Sequence, residues 1–151
     1  MYTIGQVSAL CGLPVSTLRY YDKEGLFPAL QRDSGIRKFE EKELEAIRVI
    51  ECLKKSGLEL RDIKQFMKWC MEGPSTYSQR LKLFYTQKRQ VEEELERMNR
   101  VQDKIKFKCW YYEQAIQDGN EDRLQSMAAE EMPAEIRRAY ENAHQTAMGG
   151  K

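Results

Sequence analysis

The chain has one histidine, four prolines and four cysteines in 151 residues, and no long apolar run. Nothing comes near the ~20 consecutive apolar residues that a membrane span requires. The histidine, His144, stands far from Cys11, Cys52, Cys70 and Cys109, and no two cysteines form a C-x-x-C pair. Without thiolate and imidazole ligands that could converge, a structural zinc site, a disulfide framework and a metal or other cofactor are not expected. A Gly-rich phosphate loop and a Ser/His pairing are missing too, so the usual enzyme constellations are absent. Charge of one sign is equally scarce, since Lys+Arg 25 against Asp+Glu 24 leaves a formal net charge of +1. A polyanion-coating tail is excluded, and any nucleic-acid contact has to come from a local patch. The opening Met1-Tyr-Thr-Ile-Gly-Gln has neither a basic n-region nor an apolar h-region, so the expected location is the cytoplasm.

What the chain does have is charge on helices: 32% of its residues are Asp, Glu, Lys or Arg, which suits long helices with wet outer faces. Thr3 and Gln6 stand at capping-box spacing, so a short helix begins at Ile4 and ends at Gly12. Leu13-Pro14 restarts the chain, and a second helix is expected from Val15 to Lys23, closed by Gly25. Two short helices across a tight Gly/Pro turn make a helix-turn-helix. Asp33-Ser34-Gly35 then sits between two extended pieces, a small hairpin or wing carrying Arg32, Arg37 and Lys38. Leu44, Ile47, Ile50 and Leu53 predict a helix from about Glu41 to Ser56. A shorter one through Ile63, Phe66, Met67 and Cys70 stops at Gly73-Pro74.

From Tyr77 to Asp118 neither Gly nor Pro occurs, a stretch that spans ~63 Å as a helix. Tyr77, Leu81, Phe84, Lys88, Val91, Leu95, Met98, Gln102, Ile105, Cys109, Tyr112 and Ile116 recur at alternating spacings of four and three. Such a sustained 3.5-residue period predicts a coiled coil, and hence a homodimer. The domains expected are residues 1–72, 75–118 and a tail, 119–151. The tail reads as a helix over about Asp122–Met132, then Pro133, then a helix from Ala134 to about Ala147. Met127, Met132, Ile136 and Tyr140 could form one apolar stripe there. Whether the tail docks is not legible from its composition.

Taken together, these elements resemble the MerR family of bacterial transcription regulators. The resemblance rests on Tyr2-Thr-Ile-Gly-Gln-Val, Gly12-Leu-Pro-Val-Ser-Thr-Leu-Arg-Tyr-Tyr-Asp-Lys-Glu-Gly-Leu26, Arg32-Asp-Ser-Gly-Ile-Arg-Lys-Phe39 and Leu53-Lys-Lys-Ser-Gly-Leu58. It implies a mainly α fold: an N-terminal winged helix-turn-helix with a β-hairpin wing, a long antiparallel coiled-coil dimerisation helix and a short helical tail. It further implies a dimer on double-stranded DNA at a palindromic promoter operator. There an effector makes the protein bend and untwist an overlong promoter spacer, so that RNA polymerase is reached through the promoter. By resemblance Arg19 and Tyr20 hold the DNA backbone, Ser16 and Thr17 lie near the groove, and Leu18 and Tyr21 face inward. Small polar and cationic side chains at the start of a recognition helix are what the major groove requires. Arg37 matches the family's phosphate-gripping arginine, with Lys38 as helper and Arg61 as a further phosphate contact. Ile36 and Phe39 replace an aromatic and a tyrosine frequent in the family, which removes side-chain hydrogen bonds there. If the seam crosses itself at Leu95, Lys88 meets Gln102 of the second copy.

For the effector, metal-sensing relatives cluster cysteines after the dimer helix, and from Gly119 onward this chain has none. Drug-binding relatives carry a large ligand domain, for which the tail is too short. Cys52, in Glu51-Cys-Leu-Lys-Lys, is placed as in the aldehyde-responsive branch, so an electrophile or stress-response role stands beside the plainer reading of a buried packing cysteine. Cys109, Trp110 and Tyr112 offer a rival effector site, a pocket for a small apolar ligand, beside the plainer reading of core packing. Cys11 and Cys70 read as packing residues. A coiled-coil adaptor without DNA function would explain the long helix, but not the Thr17-Leu-Arg-Tyr-Tyr21 run or the wing.

Overall fold

The computed structural model describes residues 1–145. Two compact units divide the chain inside its long helix, Met1–Val91 and Glu92 onward. Among the described residues no helix is long and apolar enough to cross a membrane.

In the first unit, α1 (Ile4–Cys11) starts at Thr3, whose Oγ1 accepts the Gln6 N–H at 3.3 Å while the Gln6 side chain accepts the Thr3 N–H at 2.9 Å. It ends where Gly12 enters the left-handed region at φ 66°. α2 (Val15–Lys23) follows directly, with Pro14 supplying the fixed φ of a helix entry. β1 (Gln31–Asp33) and β2 (Ile36–Lys38) pair antiparallel through a two-residue turn, Ser34-Gly35, both at positive φ. That is the turn whose twist suits a tight hairpin. Tyr2 and Phe39 add one bridge beside the wing, with backbone hydrogen bonds of 2.7 and 3.1 Å.

Next, α3 (Glu41–Lys55) and α4 (Leu60–Glu72) pack on α1 and α2. The core is filled by Val7 of α1, Leu18 and Tyr21 of α2, Leu26, Phe27 and Phe39 of the connections, and the Leu44–Ile47–Ile50–Leu53 stripe of α3. Ile63, Phe66 and Met67 of α4 close it. A 3₁₀ turn, Pro74–Thr76, leads into α5 (Tyr77–Asp118). The Thr76 hydroxyl donates to the Trp69 carbonyl at 2.6 Å, and Arg80 donates to the Gly73 carbonyl at 2.8 Å. These bonds satisfy carbonyls freed where α4 stops. The first turns of α5 join this unit: Phe84 meets Phe66 edge-on at 5.4 Å, and the Gln87 amide oxygen accepts the Ser56 hydroxyl at 3.1 Å.

The second unit consists of the remainder of α5 with α6 (Asp122–Gln125), a 3₁₀ turn (Ala129–Glu131) and α7 (Ala134–His144). Phe107 is its centre, with Tyr140 at 4.9 Å and Tyr111 at 6.0 Å between ring centroids. Leu124, Ile136 and Ala139 are buried with it. Lys106 pairs with Glu135 at 2.5 Å, and Asn142 donates to Asp103. The tail therefore docks on the end of α5. The helix expected over Asp122–Met132 is interrupted after Gln125. There the Ser126 hydroxyl bonds back to the Asp122 carbonyl at 3.2 Å, and the Glu131 carboxylate accepts the Ala128 N–H at 3.0 Å. Both bonds compete with helical continuation. α7 runs to His144, and the expected extension to Ala147 lies outside the described residues.

Candidate nucleic-acid interface

Helical periodicity splits α2 into two faces. Leu18 and Tyr21 are buried, whereas Ser16, Arg19, Tyr20 and Lys23 are exposed along one outward stripe at spacings of three and four. Thr17 is half-buried at the edge of that stripe. Tyr20 is 50% exposed and Tyr21 1%, so the two adjacent tyrosines divide as the sequence suggested, one out and one in.

Tyr21 has a second duty. Its phenol donates to the Glu51 carboxylate at 2.6 Å and accepts from the Lys54 ammonium at 2.6 Å. Burial, then the Glu51 hydrogen bond, raises the phenol above its ordinary range. The hydrogen bond to Tyr21 likewise raises the Lys54 ammonium. α2 is thus fastened to α3 by a polar link at the edge of the core, as well as by apolar packing.

The wing is fastened by Asp22. Its carboxylate accepts from Arg37 Nε at 2.7 Å and from Arg32 Nη2 at 2.5 Å. Arg32 and Arg37 are directly opposed across the hairpin, an arrangement that like charge alone would disfavour. The shared carboxylate resolves that repulsion and aligns both guanidinium groups on the side of α2. Lys38 is half-buried opposite Gln31, and Ile36 is exposed beside the turn. Arg61 projects from the first turn of α4, near Glu59 at 3.5 Å and Asp62 at 4.0 Å. No ion pair or hydrogen bond among the described residues joins it to α2 or the wing.

An uncharacterized HTH-type transcriptional regulator of Haemophilus influenzae is 36% identical over 115 residues, covering 76% of this chain and 85% of that protein. The family model of MerR HTH regulatory proteins matches residues 2–69. The chain belongs to the MerR family. The HTH-type transcriptional regulator AdhR of Bacillus subtilis is 37% identical over 78 residues, 51% of this chain and 56% of AdhR. Among solved structures, that of HiNmlR, a MerR family regulator lacking the sensor domain and bound to promoter DNA, superposes with a TM-score of 0.69. It is 36% identical and covers 80% of this chain and 96% of that one. A MerR family regulator from Bacillus thuringiensis gives 0.65 at 45% identity, covering 72% and 96%.

Within this MerR-type frame, the sensing residues named from sequence fall in different places. Cys52 is exposed on α3, which removes the buried packing alternative. It lines an open groove of about 630 Å³ between α1 and α3, together with Cys11, Arg48, Glu51 and Lys55. Cys11 is half-buried, and burial pushes its thiol up. Cys70, read as packing, is instead exposed: it lies in the last turn of α4, with Arg80 Nη1 4.0 Å from its sulfur. Cys109 and Tyr112 share an open apolar face of α5 with Ile105. Trp110 is turned away from them, toward Phe107 at 6.1 Å, because positions two apart on a helix point in nearly opposite directions. The rival pocket combining Trp110 with Tyr112 is therefore not assembled within one chain.

Sequence reasoning overlooked Lys23, Asp22 and the Glu51–Tyr21–Lys54 link. Lys23 was recoverable, since it continues the Ser16, Arg19, Tyr20 spacing. The other two join residues 10 to 33 positions apart and have no local signature.

Proposed function

We propose that this MerR family chain is a transcription regulator that binds double-stranded promoter DNA as an antiparallel homodimer and performs no catalysis. The observation that carries the reading is the outward stripe of α2 set beside a wing whose two arginines are held by Asp22. Ser16, Thr17, Arg19, Tyr20, Arg37 and Lys38 make up the proposed contact set, with Lys23 added from the stripe and Arg61 at its margin. Hydroxyls and cations of this kind position a recognition helix on phosphates and in the major groove.

Dimerisation is supported by the state of the heptad seam. Tyr77, Leu81, Val91, Leu95, Met98, Ile105, Tyr112 and Ile116 are each 40% or more exposed. An apolar row of that extent on one helix calls for a second copy. A crossing centred on Leu95 sets Lys88 against Gln102 of that copy. HiNmlR was crystallised on promoter DNA, which supports the same binding mode here. The effector is read as a small electrophile that reacts with Cys52, its thiol being exposed in a groove beside the Glu51 link to the recognition helix.

Operator binding measured over a range of salt tests the assignment. Arg19→Ala should weaken affinity across sequences and lower the salt slope by about one unit, as loss of one phosphate contact does. Unchanged affinity together with an unchanged slope would remove α2 from the interface.

A further inference from the structure

We infer that Cys52 and Lys55 form a two-nucleophile site that a one-carbon aldehyde closes into a Cys–S–CH2–NH–Lys bridge along α3. The inference rests on the electrophile reading above and extends it to the class of ligand and to a second reacting group. Cys52 and Lys55 both line the α1/α3 groove and are both exposed. They are three residues apart on one helix, which places their Cβ atoms about 5–6 Å from each other on the same face.

Neighbouring groups single out this pair. The Lys54 ammonium is committed to the Tyr21 hydroxyl at 2.6 Å and to Glu51 at 3.8 Å. Arg48, on the turn before Cys52, is bonded to Glu45 at 2.9 Å. The Lys55 side chain makes no ion pair or hydrogen bond among the described residues, so its amine is available. Cys11 reaches the same groove, but it is half-buried and its thiol is pushed up by that burial, which lowers its thiolate fraction.

A thiol and an amine this close define the chemistry. The thiolate adds to the carbonyl of formaldehyde, and the resulting alkoxide takes a proton to give S–CH2–OH. Loss of that hydroxyl as water and attack by the unprotonated Lys55 nitrogen form the S–CH2–N linkage, with the departing amine proton passing to solvent. One thiol, one amine and one formaldehyde give one bridge and one water, and no oxidant or reductant is consumed. Because the lysine arm is long enough to fold back toward the sulfur, a single carbon suffices. The bridge forms one residue from Glu51, which also lines the groove and holds Tyr21 of the recognition helix. Closing it therefore acts on the last turn of α3, where α2 is fastened.

The full-length protein is treated with ¹³C-formaldehyde at neutral pH, then followed by carbon NMR and by peptide mapping without reduction. The expected product adds the mass of one carbon atom, links the Cys52 and Lys55 peptides and carries an S–CH2–N methylene signal. Lys55→Arg, which keeps the charge, should yield only the S–CH2–OH adduct, heavier by one whole formaldehyde, and Cys52→Ser should yield neither. If the native protein stops at S–CH2–OH on Cys52, the bridge is overturned while electrophile sensing stands. A bridge from Cys52 to Lys54 or Cys11 overturns the choice of Lys55. No adduct on Cys52 at all overturns both the bridge and the electrophile reading.

Discussion

The two units of this chain keep their apolar residues in opposite ways. In residues 1–91 four helices and the wing enclose a core whose central members, among them Val7, Leu18, Ile47, Ile50 and Ile63, are at most 1% exposed. From Glu92 onward burial is concentrated around Phe107, Leu124, Ile136 and Ala139, while Leu95, Met98, Ile105 and Ile116 remain open. A winged helix that satisfies its own core can present α2 rigidly. In the proposed dimer, the helix with an open seam gains its remaining stability from a second copy.

Substitutions at the centre of each unit should have the largest effects. Ile47→Ala should cost about 2–5 kcal/mol in denaturant unfolding and abolish operator binding along with the fold. Phe107→Ala should free residues 122–145 for hydrogen exchange while amides of α1–α4 keep their protection. Loss of protection across α1–α4 in that variant would mean that the units do not fold separately.

Leu95→Glu tests the open seam. Sedimentation should register a monomer that retains its helical signal, since Leu95 is 59% exposed and contributes little within one chain. A persistent dimer would move the contact to another face.

A smaller effect is expected from Asp22→Ala, which releases Arg32 and Arg37. The loss should be about 1–2 kcal/mol, because charged hydrogen bonds are strong but the arginines are partly exposed. DNA affinity should fall several-fold through wing disorder, visible as faster exchange of β1 and β2 amides. Undiminished affinity would mean that the wing does not need its tie.

The smallest effect concerns Glu135, whose carboxyl the Lys106 hydrogen bond holds below its ordinary value. A depressed carboxyl contributes stability that is present above the usual carboxylate range and is lost as pH falls through the depressed value. Acidification below the usual carboxylate range should therefore loosen α7, mild acid should leave it in place, and Glu135→Gln should remove that step. Phe107–Tyr140 packing followed by near-UV circular dichroism reports it.

Much of this was legible because it is local. The Thr3/Gln6 cap, the Gly12-Leu-Pro turn, the Ser34-Gly35 hairpin and the Tyr77–Asp118 helix each follow from residues within a few positions of one another. The outward stripe of α2 was legible for the same reason, since helical spacing separates Arg19 and Tyr20 from Leu18 and Tyr21. The tail misled: apolar spacing suggested a helix to Met132, but the Ser126 and Glu131 hydrogen bonds favour turns. Cys70 misled as well: it continues the Ile63, Phe66, Met67 spacing, but it falls in the last turn of α4, where the core no longer covers that face.

The order of elements, the heptad seam and the outward residues of α2 are therefore local properties, set by periodicity and by caps that act over one or two turns. It took the packed fold to show that Asp22 holds the wing, that Glu51 and Lys54 hold Tyr21, that the tail folds onto Phe107, and that Cys52 shares an open groove with Lys55. Those pairings, apart from Cys52 with Lys55, join distant segments, and packing alone chooses which distant side chains meet. For Cys52 and Lys55, helix spacing implies a common face, but the packing of α1 on α3 makes that face the wall of a groove.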